Sequence, residues 1–286
     1  ISGGTGPYVY LWSNGTSTTT NSTTNTAIGL SSNTYSCTVT DANGCTQNSG
    51  NIVISQPLET IFTTSTTSVS CNGGNTGTAT VTVSSGVGPY TYLWNNGQTN
   101  PTAIGLTSGN YNCTVTAANG CTQNSGNIFV SQPTQIVVTT SNTSVNCNGQ
   151  SNGTATVNVS GGGLPYTYSW SNGQATSTAT GLATGNYNCN ITDVNGCIIN
   201  SGNIFVSQPG PIVIITSNTL VSCNGGNNAT ATVSVSGGTP GYLYSWNTGQ
   251  NTATISTLPA GNYSCTVTDA NGCTQNSANI TINQPT

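Results

Sequence analysis

The chain has 286 residues with no Lys, Arg or His, only four acids (Asp41, Glu59, Asp193 and Asp269) and a formal net charge of −4. An ordinary soluble domain is about 25% charged, against 1% here. The cations of a nucleic-acid surface, a phosphate clamp or a basic membrane patch are therefore missing. The absence of His removes the triad base and the usual zinc ligand set. Four scattered acids do not make a calcium cage or a paired-carboxylate site. No catalytic residue, cofactor or metal ligand is expected, and an enzyme is the weakest of the possible functions.

In chain order, residues 1–57 open in mid-pattern, because Ile1-Ser2-Gly3 aligns with Val83-Ser84-Ser85. They read as the tail of a truncated repeat, and the chain as a piece of something longer, without a signal peptide. Residues 58–133 carry the local pattern in full. Ile61 to Val69 is a Thr-rich extended stretch, and Asn72-Gly73-Gly74-Asn75 is a turn signal. Thr78 to Val83 alternates, with Ala79, Val81 and Val83 on one face. Gly86 to Pro89 turns the chain into Tyr90–Trp94, and Asn95-Asn96-Gly97 turns it again into a short strand, Thr102–Leu106. Tyr111 to Thr116 follows. Asn119-Gly120 then predicts a hairpin into Cys121–Val130, with Gly120 left-handed in a three-residue loop. No segment has helical period. Six or seven short strands with turns every 8–12 residues predict a small Greek-key β-sandwich.

This pattern recurs at one constant step. Cys37, Cys113, Cys189 and Cys265 keep that step, as do Cys45, Cys121, Cys197 and Cys273, and as do Cys71, Cys147 and Cys223. Trp94, Trp170 and Trp246 keep it too, whereas Trp12 stands further back because of extra residues in the stretch near Gly15–Thr24. Gln-Pro pairs end at Pro57, Pro133, Pro209 and Pro285. Three complete repeats are therefore expected at 58–133, 134–209 and 210–286.

Eleven cysteines favour an oxidising, extracellular or cell-surface location, and no apolar run is long enough to cross a membrane, so no direct insertion is expected. Cys113 and Cys121 stand eight apart, unlike a CxxC zinc or redox motif, so structural disulfides are favoured.

Cys-Asn-Gly-Gly (71–74), Thr-Ala-Thr-Val-Thr-Val (78–83), Gly-Pro-Tyr-Thr-Tyr-Leu-Trp (88–94), Gly-Asn-Tyr-Asn-Cys-Thr-Val-Thr (109–116) and Asn-Gly-Cys (119–121) resemble the SprB repeat. That family occurs in very large cell-surface adhesins of gliding and predatory Bacteroidota. The Pro-Tyr-x-Tyr-x-Trp strand is also similar to the immunoglobulin-like PKD family. The resemblance implies an all-β chain of tandem immunoglobulin-like Greek-key β-sandwiches, one per repeat, in an elongated array. It also implies export by type IX secretion and a stalk or adhesin role.

It further implies one disulfide of the Cys71–Cys121 type per repeat: Cys71 with Cys121, Cys147 with Cys197 and Cys223 with Cys273. Cys71–Cys113 is the alternative. Either closes a loop of roughly 40–50 residues and constrains the unfolded chain by about 4 kcal/mol in the chain-entropy model. The third type, Cys37, Cys113, Cys189 and Cys265, is then a buried free thiol or a lateral interchain bridge, the free thiol being favoured.

Tyr90, Tyr92 and Trp94 share one strand face, as do Tyr166, Tyr168 and Trp170, and Tyr242, Tyr244 and Trp246. Core packing is the favoured role, and a tyrosine ladder stacking on glycans is the alternative. The ten Asn-x-Ser/Thr sequons are expected by chance in so Asn- and Thr-rich a chain. Strand edges without charge are either masked or paired in an assembly, so self-association into a fibre or homo-oligomer is the expected partnership. The leading functional expectation is a non-catalytic stalk or filament segment. The second is an adhesive module that recognises surface polysaccharide or glycan through those tyrosines.

Overall fold

A computed structural model describes residues 1–286 and consists of short strands and turns with no helix, hence no helix long and apolar enough to cross a membrane. Two compact units divide the chain, and they cut across the repeats: Ile1–Thr67 with Thr78–Val130, and Ser68–Gly77 with Ser131–Thr286.

Repeat 134–209, in the second unit, displays the common plan. Strand Gly153–Ser160 lies between Val137–Thr143 and Thr178–Leu182 in one sheet. In the other, Cys189–Thr192 lies between Thr167–Trp170 and Ile198–Asn200. A pair, Gly185–Tyr187 with Ile204–Val206, carries on the same two strands. In immunoglobulin lettering this is A-B-E against C-F-G, without strand D. The last two predicted strands are each split, because Ser201 intrudes on the ladder. The Cys189 N–H donates to Ser201 Oγ at 2.9 Å, and the Ser201 N–H donates to the Cys189 carbonyl at 2.9 Å.

The core follows from the alternation. Ala155, Val157, Trp170, Ala179, Leu182, Cys189, Ile191 and Val206 are buried together. Trp170 sits directly across from Cys189, and its indole N–H donates to the Thr176 carbonyl at 2.7 Å, so the one polar atom of the ring is satisfied. Tyr187 stands two residues before Cys189, and its hydroxyl donates to the Ala183 carbonyl at 3.1 Å. That is the tyrosine corner of immunoglobulin sandwiches. Repeat 210–286 repeats each feature, with Trp246 across from Cys265 and Tyr263 bonded to the Pro259 carbonyl at 2.8 Å.

In the first unit, strands 61–67, 77–85 and 102–106 form one sheet and 91–94, 113–116 and 122–124 the other. Residues 1–57 keep only the C-F-G side, with Tyr8, Tyr10 and Cys37 buried and Trp12 and Val39 against them. The extra residues after Gly15 supply a further strand, Ser17–Thr20, paired with Tyr8–Trp12.

Candidate functional site

The chemistry of the second unit is concentrated where one repeat meets the next. Cys71 is bonded to Cys197 (S–S 2.05 Å, Cα–Cα 5.6 Å) and Cys147 to Cys273 (2.01 Å and 5.6 Å). Both Cα separations are ordinary for a disulfide. The expectation of Cys71–Cys121, Cys147–Cys197 and Cys223–Cys273 is therefore corrected. The paired types are the expected ones, but each bond crosses into the following repeat. The physical reason lies in the hairpin. Gly120 is left-handed (φ 81°) and the Ala117 N–H donates to the Cys121 carbonyl at 2.9 Å, yet the Cys121 side chain is exposed while Ala117 is buried. The turn projects the thiol outward, and at Cys197 and Cys273 that outward thiol meets a neighbour's cysteine.

Each staple has two halves. The cysteine turn is held by the Gln-Pro pair of its own repeat. The Gly73 N–H donates to Gln132 Oε1 at 2.8 Å and the Asn72 amide to the Pro133 carbonyl at 3.0 Å. The same pair of bonds joins Gly149 to Gln208 at 2.9 Å and Asn148 to Pro209 at 3.0 Å. Gln-Pro is thus the clamp that aims the cysteine as well as a junction with fixed φ.

The receiving half is an aspartate loop. Asp193 Oδ1 accepts the N–H groups of Asn195 and Cys197, each at 2.9 Å, while Oδ2 accepts that of Gly163 at 2.9 Å. Asp269 does the same for Asn271, Cys273 and Thr239 at 2.9, 2.9 and 2.8 Å. These N–H donors hold both carboxyls below the ordinary Asp range, Gly163 leading for Asp193 and Thr239 for Asp269, and burial opposes the shift. Three of the four acids, Asp41, Asp193 and Asp269, occupy this one repeat position. They look scattered along the linear sequence, although they keep the register of the cysteines four residues after them.

Two glycines complete the half-site. Gly161 and Gly162 are left-handed (φ 76° and 66°), and a Cβ on Gly161 would collide with the Gln135 carbonyl oxygen. Gly237 stands in the same relation to the Pro211 carbonyl. Only glycine lets the linker pass this closely. In addition, the Asn271 amide donates to the Asn146 carbonyl of the preceding repeat at 3.0 Å.

Residues 63–99, 139–175 and 216–251 each match the SprB repeat. The chain carries three tandem matches to the SprB repeat. The matched stretch covers the first half of each unit, through the Trp strand, and stops before the aspartate loop. The cysteine turn lies inside it and the receiving cysteine outside. No curated protein matches the chain. Solved structures similar in outline are the N-terminal four Ig domains of Dscam1 isoform 9.44 (11% identity, 97% of this chain, 91% of that chain, TM-score 0.28), extracellular domains 3–5 of Drosophila OTK (11%, 80%, 98%, 0.23) and dimeric latent PorU from Porphyromonas gingivalis (12%, 87%, 31%, 0.18). These scores are too low to bear on function.

The remaining singled-out residues pack in or against the cores. Cys37, Cys113, Cys189 and Cys265 are free and buried, and burial raises all four thiols. Each stands where an immunoglobulin F strand carries its cysteine, and around Cys189 the B strand of the same core offers Ala155 and Val157 instead of a partner. At 0–4% exposure in this chain they have the burial expected of the favoured free thiol. Tyr166, Tyr168, Tyr242 and Tyr244 are half-buried against their cores, and Tyr90 and Tyr92 are half-buried as well. Tyr166 and Tyr242 donate to the Gly161 and Gly237 carbonyls, so their hydroxyls brace the glycine pair of the receiving half.

Proposed function

We propose that this chain is a non-catalytic, load-bearing stalk segment of a secreted cell-surface adhesin. The SprB repeats support a surface adhesin of the kind exported by type IX secretion, and the disulfides support an oxidising, extracellular setting. The observation that carries the reading is the overlap of the two disulfides. The loop closed by Cys71–Cys197 and the loop closed by Cys147–Cys273 share residues 147–197.

Overlap changes what pulling can do. Along the main chain, tension between Cys71 and Cys273 passes through every residue that separates them. Through the bridges, the shortest covalent path runs from Cys71 to Cys197, back along the shared segment to Cys147, and across to Cys273. At about 3.4 Å per extended residue, that path is roughly 170 Å long, against roughly 690 Å for the open chain. Each bridge therefore removes slack that an unfolded repeat would otherwise release, and a repeat that yields under load stays short and refolds near its neighbours.

Single-molecule pulling tests this. The oxidised chain should reach a contour length about 500 Å shorter than the reduced chain, the difference being confined to residues 71–273. Equal contour lengths in the two states would remove the load-bearing reading.

A further inference from the structure

Cys189 and Cys265 are buried free thiols. Each stands eight residues before a bridged cysteine of its own repeat, Cys197 or Cys273. Such a thiol is a nucleophile next to its target, because a thiolate opens a disulfide by attacking one of its sulfurs.

Folding keeps the two apart. Cys189 is packed with Ala155, Val157, Trp170 and Ile191, whereas Cys197 is partly exposed. The backbone of Cys189 is tied on both sides to Ser201, at 2.9 Å each way. Ser201 lies four residues past Cys197, so the ladder sets the two cysteines about 13 Å apart along the strand. Cys265 is tied in the same way to Ser277, at 3.0 and 2.8 Å. Burial also raises both thiols and so keeps them protonated. Unfolding removes each of these barriers. A spacer of this length then closes in about 10–100 ns. Closing eight residues is favoured over closing a separation of 126 by roughly sixtyfold in the open chain.

We propose that Cys189 and Cys265 are concealed nucleophiles that open the staples of an unfolded repeat, Cys189 taking Cys197 from Cys71 and Cys265 taking Cys273 from Cys147. The Cys189 thiol gives its proton to water, and the thiolate attacks the Cys197 sulfur. The Cys189–Cys197 bond forms, the Cys71–Cys197 bond breaks, and the electron pair leaves on the Cys71 sulfur, which takes up a proton. One thiol and one disulfide enter and one of each leaves, so no oxidant or reductant is consumed. The mechanical consequence rests on the stalk reading. With both exchanges made, the shortest covalent path from Cys71 to Cys273 grows from roughly 170 Å to roughly 630 Å, so the stapled segment yields only when load holds it open. Uncatalysed rearrangement takes minutes to hours, and a single fast pull still meets the native bridges. The exchange itself needs an unfolded repeat and no force.

The test holds the oxidised chain in denaturing urea at mildly alkaline pH without added thiol. Samples are quenched with N-ethylmaleimide and mapped with chymotrypsin, which needs no Lys or Arg. At the start, the peptide of residues 63–90 is linked to that of residues 188–205 through Cys71 and Cys197. With time, residues 188–205 should carry an internal Cys189–Cys197 bond as the most abundant new linkage, and Cys71 should be blocked. In native buffer of the same pH, the original linkage should persist over the same period. Cys189→Ser should slow its loss in urea about threefold, the remainder coming from more distant thiols. Any effect of that variant on folding is irrelevant there. Cys113→Ser should leave the rate almost unchanged. Equally fast loss in native buffer, loss unaffected by Cys189→Ser, or Cys197 pairing with Cys189 no more often than with Cys223 would overturn the proposal. None of these outcomes alters the contour lengths read by pulling, so the two readings fail separately.

Discussion

Repeats 134–209 and 210–286 build their receiving loops from one residue set, and repeat 58–133 builds its own from another. The first two carry Gly161-Gly162 with Asp193, and Gly237-Gly238 with Asp269. The third carries Ser85-Gly86 with Ala117. The side chains account for the difference. Gly162 and Gly238 are so close to the aspartates that a Cβ would lie 3.0 and 2.9 Å from their Oδ2 atoms, so the glycine pair and the carboxylate form one packed unit. Where both are replaced, the loop is held without a carboxylate, the Ala118 N–H donating to the Val87 carbonyl at 3.0 Å and the Cys121 N–H to Asn119 Oδ1 at 3.1 Å. The two complete loops receive a disulfide, and Cys121 in the third does not. Residues 1–57, which immediately precede repeat 58–133, contain no equivalent of Cys71. Glycines and aspartate therefore travel as a set, since Gly3, Gly4 and Asp41 also occur together beside the free Cys45.

The largest expected effect comes from removing the bridges. Each joins cysteines at a sequence separation of 126, and a loop of that size is worth about 5 kcal/mol in the chain-entropy model. Reduction should lower the melting of both units, because the Cys71–Cys197 loop encloses Thr78–Val130 of the first, and should lower that of the second more, because both loops constrain it. Calorimetry with and without reductant checks this, and an equal shift in both units would break the comparison. Next come the tryptophans. Trp246 is buried at 3% exposure and Trp12 is only half-buried, so Trp246→Ala should cost about 3–5 kcal/mol. Trp12→Ala should cost clearly less in the same denaturation assay.

Gly237→Ala sharpens the contrast at the linker. The new Cβ would meet the Pro211 carbonyl in a left-handed residue, and a loss of about 3 kcal/mol is expected from strain and displacement together. The matching change in the first unit, Ser85→Gly, should alter stability by less than about 1 kcal/mol. Similar losses at the two positions would mean that the glycine pair has no special role in the receiving loop.

Most of the fold was legible because strand alternation, turn glycines and the Trp and Tyr positions are local signals. Tyr111 to Thr116 was legible as a strand, although its place as the F strand was not. The disulfide register was not legible, for a reason inherent in repeats. Shifting Cys121 to Cys197 moves by one period and leaves every residue type and every local spacing unchanged. No pattern within a repeat distinguishes the two pairings.

The smallest effect is the most direct test of the set. Ala117→Asp restores the missing carboxylate to a loop whose Cys121 N–H now makes do with Asn119 Oδ1 at 3.1 Å. In the two stapled loops the same carboxylate accepts three N–H groups and is held below the ordinary Asp range by them. A gain of about 1 kcal/mol is expected near neutral pH. Its pH dependence has a definite sign. A group whose folded pKa is depressed contributes fully above the unfolded value of about 3.9, and that contribution is lost as pH falls through the folded pKa. The variant and its parent should therefore converge in urea titrations as pH is lowered below about 4. A gain that persists undiminished in acid would come from something other than the carboxylate, and no gain near neutral pH would mean that Ser85 alone keeps this loop from the form its neighbours adopt.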